Sequence, residues 1–216
     1  MTLRADLYFS FRSPYSYLAL PKWRAAVRDY DLQIDLKPVY PLAIREPNFF
    51  ERNHPNWLRY TIRDMMRVAQ HAGTPFMPPR PDPIVQDMAT RKIAAEQPYI
   101  YRLVRTGQVA ARRGRGFAYA DEVAQLVWGG TVDWHLGDHL KLAAERAGLN
   151  LDDLDAEAER DAEAIDAEVA ANQAALEAAG HWGVPTLVFD DEPFFGQDRV
   201  ELALWRMEQA GLEKRT

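Results

Sequence analysis

Cysteine is absent from all 216 residues. Disulfide exchange through a thiol of the chain's own is thereby excluded, and any sulfur chemistry has to borrow its sulfur from a ligand. A basic excess is absent as well: 26 lysines and arginines face 32 aspartates and glutamates, for a net charge of −6 and an isoelectric point near 5.4. Such a balance argues against a nucleic-acid surface and favours small-molecule partners. No run approaches the ~18 apolar residues of a membrane span. Met1-Thr2-Leu3-Arg4-Ala5-Asp6 leads straight into a strand pattern, without the apolar core and cleavage site of a signal peptide. The expectation is a cytoplasmic chain with no membrane partner. A Gly-x-Ser-x-Gly elbow, a phosphate-binding Gly-rich loop and a dinucleotide fingerprint are also missing, so hydrolase, nucleotidase and dehydrogenase readings have no support. His135 and His139 are four apart, but Gly137 lies between them and no third ligand is near, so no metal centre is read.

What is present reads as an α/β chain, long enough for one compact domain or a domain with a large insertion. Leu3, Ala5, Leu7, Phe9 and Phe11 alternate with Arg4, Asp6, Tyr8, Ser10 and Arg12, the period of a strand with one buried face. Ser13 then fits a helix N-cap and Pro14 the first helical position, with Ala19, Trp23, Val27 and Tyr30 at helical spacing and Pro21 as a point where the helix can kink. Leu32, Ile34 and Leu36 mark a second strand, closed by Pro38 and Pro41. The short helical crossover makes the two strands parallel.

From about Trp57 to Gly180 the spacing is helical. Leu58, Ile62, Met65, Ala69 and Ala72 mark one helix, and a segment from Ile84 to about Arg105 another. Gly129-Gly130, Gly148 and Gly180 read as stops, and Asp133 as the cap of a following helix. Strand character returns at Thr186–Phe189 and, after a turn at Asp190-Asp191, at Pro193-Phe194-Phe195, before a last helix from about Asp198 to Ala210. The order describes a thioredoxin fold with a large all-helical insertion, residues 1–42 and 181–216 forming the thioredoxin-like domain and 43–180 the insertion. Two charge runs are read without function. Residues 152–168 hold nine acids against one arginine and read as an exposed helical face, and Arg112-Arg113-Gly114-Arg115-Gly116 reads as a solvated loop. Tyr15, Tyr17, Phe194, Phe195 and Trp182 can line an apolar pocket or belong to the core.

The stretch from Phe9 to Ala19, the run Gly183-Val184-Pro185-Thr186 and the run Phe195-Gly196-Gln197-Asp198-Arg199, with Tyr60-x-x-x-Asp64-x-x-Arg67 between, resemble the 2-hydroxychromene-2-carboxylate isomerase family in order and over almost the whole chain. That family is similar to kappa-class glutathione transferases and has the fold of periplasmic disulfide oxidoreductases, whose Cys-x-x-Cys positions read Ser13-Pro14-Tyr15-Ser16 here. The resemblance implies glutathione as cofactor, a homodimer, and Ser13 as the catalytic residue whose hydroxyl holds the glutathione sulfur as thiolate. A helix N-terminus with a hydroxyl donor can lower a thiol pKa from about 8.5 towards neutrality, although Ser-Pro is equally an ordinary helix start. It also implies a cis Val184–Pro185 bond facing Ser13, with the Val184 backbone pairing the ligand as an added strand does. On the residues alone this is a plain loop-to-strand turn. Gly196, Gln197 and Asp198 would hold the γ-glutamyl end, Asp198 also fitting a helix N-cap.

Arg45 stands where the isomerases place a lysine for the substrate carboxylate, and Asn53-His54-Pro55 resembles their substrate-contacting asparagine region with altered spacing. Arg52 and Arg59 are further cations, or solvated surface charges. A tyrosine that the isomerases use after the first inserted helix has no counterpart in Pro78-Pro79-Arg80-Pro81-Asp82-Pro83. The reaction implied is addition of the thiolate to an aromatic or unsaturated carboxylate, ring opening, rotation and elimination, with glutathione returned unchanged. A transferase releasing a conjugate and a thioredoxin-like binding protein without catalysis are the alternatives.

Overall fold

A computed structural model of the chain describes residues 2–46, 49, 53–87 and 92–215. The elements follow in the order β1 (Leu3–Phe9), α1 (Pro14–Asp29), β2 (Leu32–Pro38), α2 (Leu42–Arg45), α3 (Pro55–Ala72), α4 (Pro98–Arg112), α5 (Gly116–Trp128), α6 (His139–Arg146), α7 (Leu151–Arg160), α8 (Ala162–Ala178), β3 (Thr186–Phe189), β4 (Glu192–Phe195) and α9 (Val200–Gln209). β1 pairs parallel with β2 from Leu3 opposite Leu32 to Phe9 opposite Pro38, as a helical crossover requires. β3 runs antiparallel to β1 and β4 antiparallel to β3, giving the sheet order β2-β1-β3-β4 of a thioredoxin fold. Asp190 and Asp191, with φ of 52° and 60°, make the two-residue turn between β3 and β4, a left-handed conformation that aspartate tolerates. No helix among the described residues is long and apolar enough to cross a membrane.

Three expectations need correction. First, β1 is covered on both faces at its C-terminal end: Phe9 enters the main core while Tyr8 packs with Val39 and Leu176. It lies inside the sheet, where the alternation of a one-sided strand is lost. Second, the helix expected from Ile84 begins only at Pro98. The side chain of Gln97 holds Val85 N, Val85 O and Ala94 O at 2.8, 2.7 and 2.9 Å, and Ala94 N donates to Val85 O at 3.0 Å. These bonds keep the preceding segment extended, and a residue before proline disfavours the helical region in any case. Third, Asp133 has φ of 53° and caps no helix; its N–H donates to Arg80 O, and α6 starts after Asp138 instead. α1 continues unbroken across Pro21.

Sheet and helices share one core, in which Phe9 and Phe11 meet Ile100, Leu103 and Val104 of α4 and Tyr119, Val123 and Val127 of α5. Phe11 is fully buried, edge-on to Phe9 at 5.2 Å and to Tyr119 at 6.4 Å. Its ring lies against α4 at Gly107, where an added Cβ would stand 2.7 Å from Phe11 Cε2. The carbonyl of Phe11 accepts from Trp128 Nε1 at 3.0 Å. The last residues of β1 and the turn that follows are thus held by α4 and α5.

The two charge runs are largely exposed, as expected, but they also answer each other across the surface. Arg102 pairs with Asp155, Arg105 with Asp166, Arg112 with Glu168 and Arg113 with Glu157, each at 2.6 Å, joining α4 to α7 and α8. Arg115 donates to Ala147 O at 2.8 Å. Hydrogen bonds from Arg113 and then Arg112 hold Glu157 below its ordinary value of 4.5, and one from Arg112 does the same for Glu168. Burial alone would raise Asp166, but the bonds from Arg105 and Tyr40 bring it below 3.8.

Carboxylates with depressed values stabilise the fold fully above their unfolded pKa, and that contribution is lost as pH falls through the folded one. Thermal melts are therefore expected to weaken below about the Glu value of 4.5, with Arg112→Ala less stable at neutrality and showing a shallower acid limb. Gly107→Ala gains roughly 1 kcal/mol in helix propensity but overpacks Phe11, a cost of about 1–3 kcal/mol. Urea unfolding should show a lower midpoint; a higher one would mean that the Phe11 ring can move aside.

Candidate active site

Ser13, with φ of −89° and ψ of 116°, caps α1, and its Oγ accepts from Ser16 N at 3.1 Å. Tyr17 N donates to Ser13 O at 3.2 Å and Pro14 has no N–H, so Tyr15 N–H is the first-turn amide left without a partner among the described residues. The Ser13 hydroxyl donates only weakly, to Val184 O at 3.5 Å. Its acceptor side is occupied and its proton is available to a ligand. No imidazole, amine or carboxylate among the described residues bonds to it, so it lacks the base that would make it a nucleophile.

Val184–Pro185 is cis, and the N–H of Val184 has no partner among the described residues. The loop around it is tied at three points. Gly183 N donates to His181 Nδ1 at 2.9 Å, Thr186 Oγ1 to Gly183 O at 2.7 Å, and Gly196 N to Pro185 O at 2.9 Å. Gly196 has φ of 112°, and Asp198 Oδ1 lies 2.6 Å from where its Cβ would be. Only glycine fits this approach. Asp198 accepts from Arg199 Nη1 at 2.8 Å and does not cap α9, which begins after Arg199 without a side-chain cap. Gln197 is half-buried beside it.

Tyr15 OH donates to Asp64 Oδ2 at 2.6 Å and Tyr60 OH to Asp64 Oδ1 at 3.3 Å, so α3 is bound to the start of α1. Burial first, then the bond to Asp64, push the Tyr15 phenol far above its ordinary 10 and keep it a protonated donor; Asp198 adds to this from the other side. Arg12 forms a two-pronged pair with Asp82, its Nη2 at 2.6 Å from Oδ2, and lies over the Trp128 ring at 5.6 Å. Tyr60 and Asp64 are spaced to meet on one helix face, but neither the Arg12 clamp nor the reach of Tyr15 to Asp64 is marked by local spacing.

Arg45 donates through Nε to Tyr40 O at 2.6 Å and through Nη2 to Trp182 O at 3.3 Å, two residues from Val184. It pairs with no carboxylate among the described residues, and burial lowers its pKa from 12.5. Phe49 packs against Trp57 at 5.6 Å and Trp182 at 5.8 Å, and His181 stacks on Phe195 at 4.0 Å, an aromatic wall beside the loop. Tyr17 and Phe194 are instead core residues, Tyr17 OH donating to Pro75 O at 2.6 Å. Asn53 Nδ2 donates to Phe49 O at 2.6 Å, and His54 Nδ1 caps α3 by accepting from Asn56 N at 3.2 Å. His54 and Arg59 are exposed, and Arg52 lies outside the described residues. The structure thus gathers Ser13, Val184, Pro185, Gly196 and Asp198 at one corner, with Arg45 next to it and Asn53 behind Phe49.

A family model described as a DSBA-like thioredoxin domain matches residues 4–207. A 2-hydroxychromene-2-carboxylate isomerase of Pseudomonas putida is 28% identical over 201 residues, 90% of this chain and 89% of that protein. Among solved structures, a 2-hydroxychromene-2-carboxylate isomerase superposes with a TM-score of 0.70 at 25% identity, covering 96% of each chain. A probable DsbA oxidoreductase from Streptomyces coelicolor superposes with 0.66 at 16% identity over 96% of this chain and 89% of its own, a likeness of fold.

Because Ser13 is a cap as well as a site residue, Ser13→Ala should cost about 1 kcal/mol in urea unfolding. Ser13→Asp keeps the acceptor for Ser16 N–H and should unfold near the wild-type midpoint.

Proposed function

The chain belongs to the DSBA-like thioredoxin-domain family, and we propose that it is a glutathione-dependent isomerase of the 2-hydroxychromene-2-carboxylate type. The observation that carries this reading is the state of Ser13: a hydroxyl that accepts from Ser16 N–H, whose proton is engaged only by a long bond to Val184 O, with no base in contact among the described residues. Such a group can donate to an anion but is not equipped to attack. The Tyr15 N–H, without a partner among the described residues, and the positive end of a 16-residue helix lie beside it and favour negative charge. These features fit the sulfur of glutathione. The unpaired N–H of Val184 and its weakly engaged carbonyl fit the ligand's extended backbone.

When bound, glutathione supplies a thiolate that adds to an electrophilic carbon of the substrate and is released unchanged. Ser13 would keep its proton and donate a hydrogen bond to the sulfur, which disfavours protonation of the thiolate. Gly196, Gln197 and Asp198 would hold the γ-glutamyl end, the aspartate supplying a carboxylate for its ammonium group. Arg45 spends two of its five N–H donors on backbone carbonyls and directs the rest at the substrate carboxylate. Asn53 and His54 support the segment carrying Phe49, whose ring and Trp182 receive the aromatic part of the substrate.

Losing a hydrogen bond to a charged group costs about 1.5–3 kcal/mol, so Ser13→Ala should raise the pKa of the bound thiol by roughly 1–2 units. An ultraviolet difference titration with glutathione at neutral pH should show a thiolate band with wild type that fades in Ser13→Ala and is missing in Ser13→Asp. No band and no binding with wild type would overturn the reading. Product analysis then separates the isomer with glutathione recovered from a released conjugate.

A further inference from the structure

His181 takes no part in the chemistry above, yet its imidazole closes the loop that carries Val184 and Pro185. Gly183 N donates to its Nδ1 at 2.9 Å, an acceptor two residues upstream of the amide it receives, the arrangement that asparagine and aspartate make in an Asx-turn. The residue is held through its backbone and its ring through one face. His181 N donates to Leu176 O at the end of α8, and the imidazole stacks on Phe195 of β4 at 4.0 Å with 21° between the planes. Gly183 has no room to shift towards them, since an added Cβ would stand 2.9 Å from Phe195 Cε2 and 3.1 Å from His181 Cε1.

The carbonyl side of the loop is tied to the sheet through Thr186 Oγ1 and Gly196 N, whereas the amide of Gly183 is held by His181. A nitrogen that accepts from Gly183 carries no proton, so this bond exists only for neutral imidazole with its proton on Nε2. On protonation Nδ1–H meets Gly183 N–H, two donors face each other, and the Gly183 amide has to turn. Val184 is the next residue.

We infer that His181 is a positioning residue, a proton-sensitive latch whose neutral imidazole holds the Gly183 amide and so sets the backbone of Val184 for ligand pairing. As a statement about ligand affinity it rests on the glutathione reading; as a statement about the loop it does not. Burial lowers the pKa of His181 from its ordinary 6.5. The latch is therefore closed at neutral pH and opens as pH falls below that value. The charged groups on the packed elements are Arg45 of α2, reaching Trp182 O, Glu177 of α8, engaged by Gln173, with Glu163, Asp166 and Glu168 further towards its start, Glu192 of β4, paired with Arg206, and Asp198 after β4, paired with Arg199. None forms an ion pair with His181 among the described residues, so no carboxylate stands by to hold the protonated ring.

The test follows the Gly183 amide and the His181 imidazole of the intact protein by nitrogen-15 NMR from about pH 7.5 to 5, a range that spans an ordinary histidine titration. Calorimetry with S-methylglutathione runs in parallel, a probe with no thiol to titrate. Wild type should show the Gly183 amide shifting with the His181 titration, and affinity falling roughly 3- to 10-fold with it, the worth of one neutral hydrogen bond. His181→Asn, which keeps an acceptor without a proton switch, should bind like neutral wild type with no pH dependence over this range. His181→Phe, which keeps the stack on Phe195 and loses the acceptor, should bind weakly throughout. A Gly183 amide indifferent to His181, or a His181→Asn variant with the wild-type pH profile, overturns the latch. Should the amide follow His181 while S-methylglutathione binds to no variant, the latch stands and the glutathione reading falls.

Discussion

Phe11 presses its ring onto α4 at Gly107, where even a methyl group would stand 2.7 Å from the ring, and its carbonyl is held by Trp128 on α5. One residue therefore has its side chain and its backbone fixed by two helices of the inserted block. Arg12, the only residue between it and Ser13, is fixed as well, by its pair with Asp82 and its place over Trp128. In a close-packed interior these restraints leave little freedom. The direction in which Ser13 points is set by the helical block more than by the sheet from which it emerges. That dependence agrees with the shared core, in which Phe9 and Phe11 meet α4 and α5 without a seam.

A serine at the helix start, in place of a thiol, changes what the corner can do. A low-pKa cysteine is itself a nucleophile, but a hydroxyl without a base remains protonated and acts as a donor. The helix N-terminus and the free Tyr15 N–H are then dipoles waiting for a charge that the chain does not supply. Acidic groups lie close by, since Asp64 and Asp198 both act on Tyr15. An anion at Ser13 is consequently held by short-range neutral donors against an acidic background, which suits a ligand that brings its own positive group for Asp198.

The parallel pairing of the first two strands, the N-cap at Ser13, the proline at the first helical position and the two-residue turn at Asp190-Asp191 were all legible, because each depends on a residue and its near neighbours along the chain. Failures occurred where distant contacts decide. Pro98 marks a local break in the helix expected from Ile84, but what holds the segment before it extended is the Gln97 side chain, twelve residues on from Val85. The acidic run 152–168 looked solvated because its partners lie on α4, and Asp198 looked like a cap although its carboxylate is drawn to Arg199. In the site, Ser13, Val184, Pro185 and Asp198 carried motif signals. His181 carried none, since an imidazole acting as a turn acceptor has the spacing of any loop histidine.

The corner and Arg45 divide the work of holding negative charge between two kinds of device. At Ser13 the donors are a hydroxyl and an amide at a helix end, effective only at contact distance and therefore selective for an atom seated there. Arg45 is a full charge, partly dehydrated, tied by two carbonyl bonds and free of any carboxylate within the described residues. A guanidinium beside the sulfur would stabilise the thiolate too, but at the cost of its reactivity, because a nucleophile neutralised by an ion pair is a weaker one. On the proposed reading, a cation tied to Trp182 O, two residues from Val184, would be left for a carboxylate on the second ligand. On the proposed reading, a substrate with a carboxylate would be retained by Arg45 through the reaction and a neutral electrophile would not, which would favour release as isomer over release as conjugate.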